Sequence, residues 1–251
     1  MQIYELLNSV TDIGYHMLEQ GAEVYRVEDS LRRIFASYEI PAEVYAVPGS
    51  VIVTIHDEDG RPMTKTRRIL LHDTNLDKVD RLNDLSRRVC RDRPEPQQIR
   101  EEIKAILARR SYPAPILVFA YIIIGFSFAL FFEGDINDAL VAGVTGGLIK
   151  LLQLALAKVR SNEFFVIILC SAMTSFIAIV SVQLGLANNI DKVTIGALMT
   201  LVPGITVTNC MRDFIAGDFM TGLSRLAQAL LAATAIAAGV AINMTLLRPY
   251  I

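Results

Sequence analysis

Apolar positions along this chain follow two periods and then merge into long runs. From the N-terminus, Ile3, Leu6, Leu7, Val10, Ile13 and Met17 recur at three- and four-residue steps, which predicts an amphipathic helix ended by Gly21. A second helical face, Val24, Val27, Leu31, Ile34 and Phe35, runs through "GAEVYRVEDSLRRI" at 21–34. After Pro41 the period shortens to two. "AEVYAV", "SVIVTI" and "MTKTRRIL" predict three strands, with turns at Pro48-Gly49 and "DEDG" (57–60) and a hairpin around Asp59-Gly60. Helical spacing returns at Leu76, Val79, Leu82, Leu85 and Val89, and again in "QQIREEIKAILARR", which "SYPAP" ends. Beyond it lie about five segments near the ~20 apolar residues that a bilayer crossing takes, at 115–132, 139–157, 164–184, 193–210 and 222–244. The expected fold class is an α-helical integral membrane protein with about five transmembrane helices and an N-terminal cytoplasmic α+β domain. The α+β domain is expected over 1–112 and the transmembrane domain over 113–251.

Composition agrees with two regions of different character. The 251 residues are 53% hydrophobic and 20% charged, with a net charge of −2, and the mean hydropathy of +0.42 is high for a soluble chain and low for an all-membrane one. A balance near zero argues against a nucleic-acid-binding surface. Cys90, Cys170 and Cys210 are too scattered for a disulfide framework or a metal motif. The first twenty residues lack a basic stretch followed by an apolar core, so no signal peptide is expected and the soluble half should stay in the cytoplasm. Arg109 and Arg110 precede the first span, Lys158 and Arg160 follow the second, and Arg212 and Arg225 flank the loop between the last two. The opposite loops, "EGDIND" and "GLANNIDK", carry only Lys192. The positive-inside rule therefore puts the soluble domain inside and the C-terminus outside.

In the soluble half, Glu28 with Arg32 and Asp29 with Arg33 are i,i+4 pairs, expected to keep a helix face in water. His56, Asp57, Glu58 and Asp59 are metal-ligand types, but four consecutive residues at a turn converge poorly and are expected to be solvated. A hydrolase reading would draw on His16, His56 and His72. No nucleophile elbow, P-loop or zinc motif supports it, so no catalytic residue, metal or cofactor is assigned.

The apolar half carries more suggestive polar groups. Gly143 and Gly147 form a G-x-x-x-G pair suited to close helix contact, beside Thr145, Gly146 and Gln153. Lys150 either faces the protein interior or snorkels to the nearby membrane surface. Ser171, Thr174 and Ser175 line one side of the third span, either for solute or simply bonding their own helix. In "TLVPGITVTN", Pro203-Gly204 should break the fourth span among Thr200, Thr206, Thr208 and Asn209, because proline removes a backbone donor and glycine permits unwinding. Freed backbone groups at such a break suit a small zwitterion or carboxylate near the midplane. A structural kink is the alternative. Arg212, Asp213, Asp218 and Arg225 follow, either as an inner gate or coupling site or as solvated loop charges. The candidate substrate-binding set is thus Lys150, Thr200, Pro203, Gly204, Thr206 and Asn209.

Three stretches, "GAEVYRVEDSLRRI", "IPAEVYAVPGSVIVTI" and "LVPGITVTNCMRDFIAGDFMTGLSRLAQALLAA", together resemble the threonine/serine exporter family, in order and across nearly the whole chain. The resemblance implies a secondary transporter in the plasma membrane (the bacterial inner membrane) that exports small polar metabolites on an ion gradient. Full-length members carry a second hydrophobic half that this chain lacks. Two-part members resemble it and act with a separately encoded small membrane protein, some in dicarboxylate (succinate-type) export. The resemblance therefore implies a small-molecule substrate, lipid contact, and a second membrane subunit or a homo-oligomer. A membrane sensor and a hydrolase-like soluble domain are the other classes open at this point.

Overall fold

The first apolar stripe becomes α1 (Gln2–Glu19) in the computed structural model, which describes residues 2–57, 59–70, 74–109, 112–158 and 162–247. Glu58, His72, Arg110 and Arg160 from the expectations above lie outside the described residues. The chain packs as two units, 1–110 with 209–224 and 111–208 with 225–251.

In the first unit, Gly21 ends the α1 segment at φ +93°, a left-handed conformation that glycine adopts without steric cost, and the Ala22 amide donates back to Met17 O (2.9 Å). Then follow α2 (Val24–Ser37), β1 (Ala42–Val47), β2 (Ser50–His56), β3 (Pro62–Arg68), α3 (Leu76–Asp92) and α4 (Pro96–Leu107). The sheet is antiparallel in the order β1-β2-β3, with Val44 opposite Val53 and Val53 opposite Lys65. Because side chains alternate along a strand, Val51, Val53 and Ile55 all point inward. They share one core with Leu7, Ile13 and Met17 of α1 and Leu31, Ile34 and Phe35 of α2. Burying each such side chain contributes roughly 1.5–3 kcal/mol. Arg67 of β3 ties the sheet to α1: it donates to Asp12 (2.7 Å) and lies 4.3 Å from the Tyr15 ring centroid.

The second unit contains α5 (Ala114–Phe131), α6 (Ile136–Ala157), α7 (Glu163–Gln183), α8 (Ile190–Leu198), the start of α9 (Gly204–Ile215) and α10 (Phe219–Leu246) from Arg225 onward. Among the described residues, four helices are long and apolar enough to cross a membrane: α5, α6, α7 and α10. The expected fourth span is not one helix. Its chain stops being helical after Leu198 and restarts at Gly204, so neither α8 nor α9 alone reaches spanning length.

Glycines let α5 and α6 approach backbone to backbone. A Cβ on Gly146 would stand 2.5 Å from Tyr121 O, and one on Gly125 would stand 2.5 Å from Ala142 O. Gly143 and Gly147, the pair singled out by spacing, face Ile122 less tightly. The tightest contact lies one residue off the motif.

A fully buried carboxylate fastens the other end of α6. Asp138 Oδ1 accepts from the amides of Asn188 (2.7 Å) and Asn189 (2.9 Å), and Oδ2 accepts from Asn189 Nδ2 (3.0 Å) and the Asp135 amide (3.3 Å). Asp135 caps the helix in return, accepting from the Asp138 amide (2.8 Å). Such a fully bonded carboxylate ties the α7–α8 loop, and with it the start of α8, to α6.

Candidate functional site

The site begins with the interruption between α8 and α9. Leu201 N still donates to Leu198 O (2.8 Å), closing a last tight turn. Pro203 offers no amide, and its carbonyl accepts from Val207 N (3.1 Å) at the start of α9. A helix N-terminus leaves its first amides without intrahelical acceptors and carries the positive end of the helix dipole. In α9 that turn holds Gly204, Ile205 and Thr206.

A cavity of about 450 Å³ lies against this turn, within the second unit. Pro203 and Thr206 form part of its wall, with Asn162 and Glu163 from the start of α7 and Gln228 from α10. Phe164, Ile167, Leu231 and Ala232 supply the apolar remainder. Asn162 caps α7, its Oδ1 accepting from Phe164 N (2.9 Å). The arrangement can hold a small solute against hydroxyl and amide groups on one side and apolar carbon on the other.

Of the expected substrate residues, the structure brings Pro203 and Thr206 into this wall. Thr200 and Gly204 lie on the interruption but not among the lining residues. Thr200 Oγ1 donates to Ala197 O (2.8 Å), and Gly204 is exposed, with nothing within 4 Å of an added Cβ. Glycine is therefore not demanded there by packing. Lys150 is half-buried on α6, its Nζ 4.9 Å from the Tyr121 ring centroid, a cation–π distance, and is not in the wall. Asn209 falls in the first unit. The hydroxyls of Ser171, Thr174 and Ser175 donate to carbonyls of their own helix, at 2.7, 2.8 and 3.1 Å. Asn243 Nδ2 then binds Ser175 Oγ (2.9 Å), joining α10 to α7.

Glu163 and Gln228 carry no local motif in the sequence: Glu163 lies one residue before the 164–184 segment, and Gln228 is flanked by Leu226, Ala227 and Ala229. An acidic residue directly after an N-capping asparagine, at the mouth of a span, was the available signal.

The gate candidates divide differently. Arg212 of α9 pairs with Glu23, the N-cap residue of α2, and Glu23 also meets Arg26 (3.2 Å). Asp213 is buried. Asp218 is a cap, its Oδ1 accepting from Thr221 N (3.1 Å) at the start of α10. Arg225 belongs to the second unit. The charged helix α2 also does more than stay in water. Glu28 accepts from the Ala46 amide (2.8 Å), and Arg32 donates to Val44 O (3.0 Å), so the pair occupies open backbone groups of the edge strand β1. Asp29 and Arg33 remain a solvated pair, as expected.

A second cavity, about 610 Å³, lies in the first unit between Tyr38, Glu39, His56, Asp57, Arg93 and Glu95. His16 bonds Glu19 (2.8 Å). Among the described residues, no three His, Cys, Asp or Glu side chains are grouped to hold a metal ion.

Comparison with known proteins places this architecture. Residues 8–247 match the family model described as "Putative threonine/serine exporter". The chain is 22% identical over 232 residues to the "Probable threonine/serine exporter" of Mycobacterium tuberculosis (strain ATCC 25618 / H37Rv), covering 91% of this chain and 44% of that protein. The chain thus spans less than half the length of that curated relative. No solved structure matches it. With a family match over residues 8–247 and four helices fit to cross a bilayer, this membrane protein belongs to the threonine/serine exporter family.

Proposed function

We propose that the chain is the transmembrane part of a secondary exporter of small polar metabolites of the threonine/serine type, and not an enzyme. It sits in the plasma membrane with residues 1–112 in the cytoplasm and five crossings in 113–251, the fourth made jointly by α8 and α9. The observation carrying this reading is the cavity at the interrupted helix, whose wall includes Pro203 and Thr206. Broken helices of this kind place partial charges where a solute binds. Lys150 stands outside that wall, and we give it no direct contact with solute. Arg212, paired with Glu23, couples the inner end of α9 to the cytoplasmic domain. A second membrane subunit or a second copy of the chain completes the path, as in the two-part members it resembles. A sensor is the second reading, favoured by the 610 Å³ cavity in the first unit.

Filling the transport cavity tests the proposal. Ala232→Phe adds an aromatic ring to its wall and is expected to reduce threonine export to the level of cells lacking the chain, at matched membrane abundance. Undiminished export would overturn the assignment of this cavity.

A further inference from the structure

We infer that Glu163 receives the ammonium group of the exported solute, so that the cavity selects amino acids over dicarboxylates. The inference rests on the reading of the Pro203 cavity as the substrate site. Among its described lining residues, Glu163 is the one ionisable side chain; Asn162, Thr206 and Gln228 are neutral, and the rest are apolar. Among the described residues of that wall there is no lysine, arginine or histidine. A four-carbon dicarboxylate would bring two negative charges to a wall whose one charge among the described residues is also negative, an arrangement that repels it.

An α-amino acid carries one charge of each sign, and the wall offers a match for both. The carboxylate of Glu163 accepts from the ammonium group. Thr206, in the wall and in the first turn of α9, brings a hydroxyl and the positive end of a helix dipole to the solute carboxylate, while the Gly204 amide of that turn already donates to Val202 O (2.8 Å). Asn162 and Gln228 provide amide groups for a short side-chain hydroxyl. Glu163 also lies in the first turn of α7, where an acidic residue favours the helix by itself. That role would not discriminate between solutes, and the difference makes the inference testable.

The test uses the full chain, returned at matched membrane level to cells deleted for their own copy. Inside-out membrane vesicles from these cells take up labelled threonine or its 2-hydroxy analogue, in which hydroxyl replaces the ammonium group. Glu163→Gln is expected to lower the preference for threonine over the analogue at least about tenfold, the scale of a lost charged hydrogen bond. Glu163→Asp is expected to retain part of the preference. An unchanged ratio in Glu163→Gln, whether or not both uptakes fall, overturns the inference. Thr206→Ala and Ala232→Phe are measured alongside. If both leave threonine uptake intact, the cavity itself is misassigned, which separates that failure from the failure of the Glu163 role.

Discussion

Replacing Asp138 with alanine is expected to lower the thermal unfolding midpoint of the detergent-purified chain by roughly 10 °C. Asp138 has no exposed surface and accepts from three backbone amides and one side-chain amide. Alanine removes every acceptor at once. The amides of Asn188 and Asn189 would be stranded, and each buried group left unpaired costs about 1–3 kcal/mol. Breaking a buried charged cluster from one side costs about 3–5 kcal/mol in all, which for a chain of this size corresponds to a shift on that scale. Asp138→Asn keeps one carbonyl acceptor and should fall between. A midpoint unchanged in the alanine variant would contradict the role of Asp138 as the fastening between α6 and the α7–α8 loop.

Gly146→Leu is expected to be as damaging by a different route. The Cβ that leucine requires would meet Tyr121 O at 2.5 Å. That oxygen is backbone of α5 and cannot rotate away, so the helices must separate, and the opposite close contact of Gly125 on Ala142 O goes with them. The cost should reach or exceed the roughly 1–3 kcal/mol typical of overpacked cores. Gly204→Leu provides the contrast, because open space surrounds Gly204. Size-exclusion profiles of the two purified variants check the pair: aggregation or loss of yield for Gly146→Leu, a normal profile for Gly204→Leu. A normal profile for both would mean that α5 and α6 do not meet at Gly146.

Local periodicity carried much of this architecture. The apolar spacing of Ile3–Met17 became α1, and period-two alternation became three strands, with Val44 and Ala46 of β1 and Val51, Val53 and Ile55 of β2 turned inward. The third span was expected at 164–184 and appears as Glu163–Gln183. Pairings distant in sequence were not legible. Glu28 and Arg32 satisfy each other at i,i+4, so their spacing looked complete, although each also reaches β1. Asp138 looked like a charge in the acidic loop "EGDIND", since nothing local shows that Asn188 and Asn189 return to it. At the candidate site, the proline marked the interruption because its chemistry is local. Glu163 and Gln228 come from other helices, and only tertiary packing reveals that they share a wall with Thr206.

The account's central claim, that solute binds beside the interrupted helix, is tested most directly by chemical protection of Thr206→Cys. The native background is favourable. Cys170 and Cys210 are buried, and burial raises the pKa of the half-buried Cys90, slowing its reaction because the thiolate is the reactive form. In inside-out vesicles a membrane-impermeant maleimide should modify Thr206→Cys from the cytoplasmic side, and threonine should slow that modification in a concentration-dependent way. Modification at the same rate at every threonine concentration would contradict the claim.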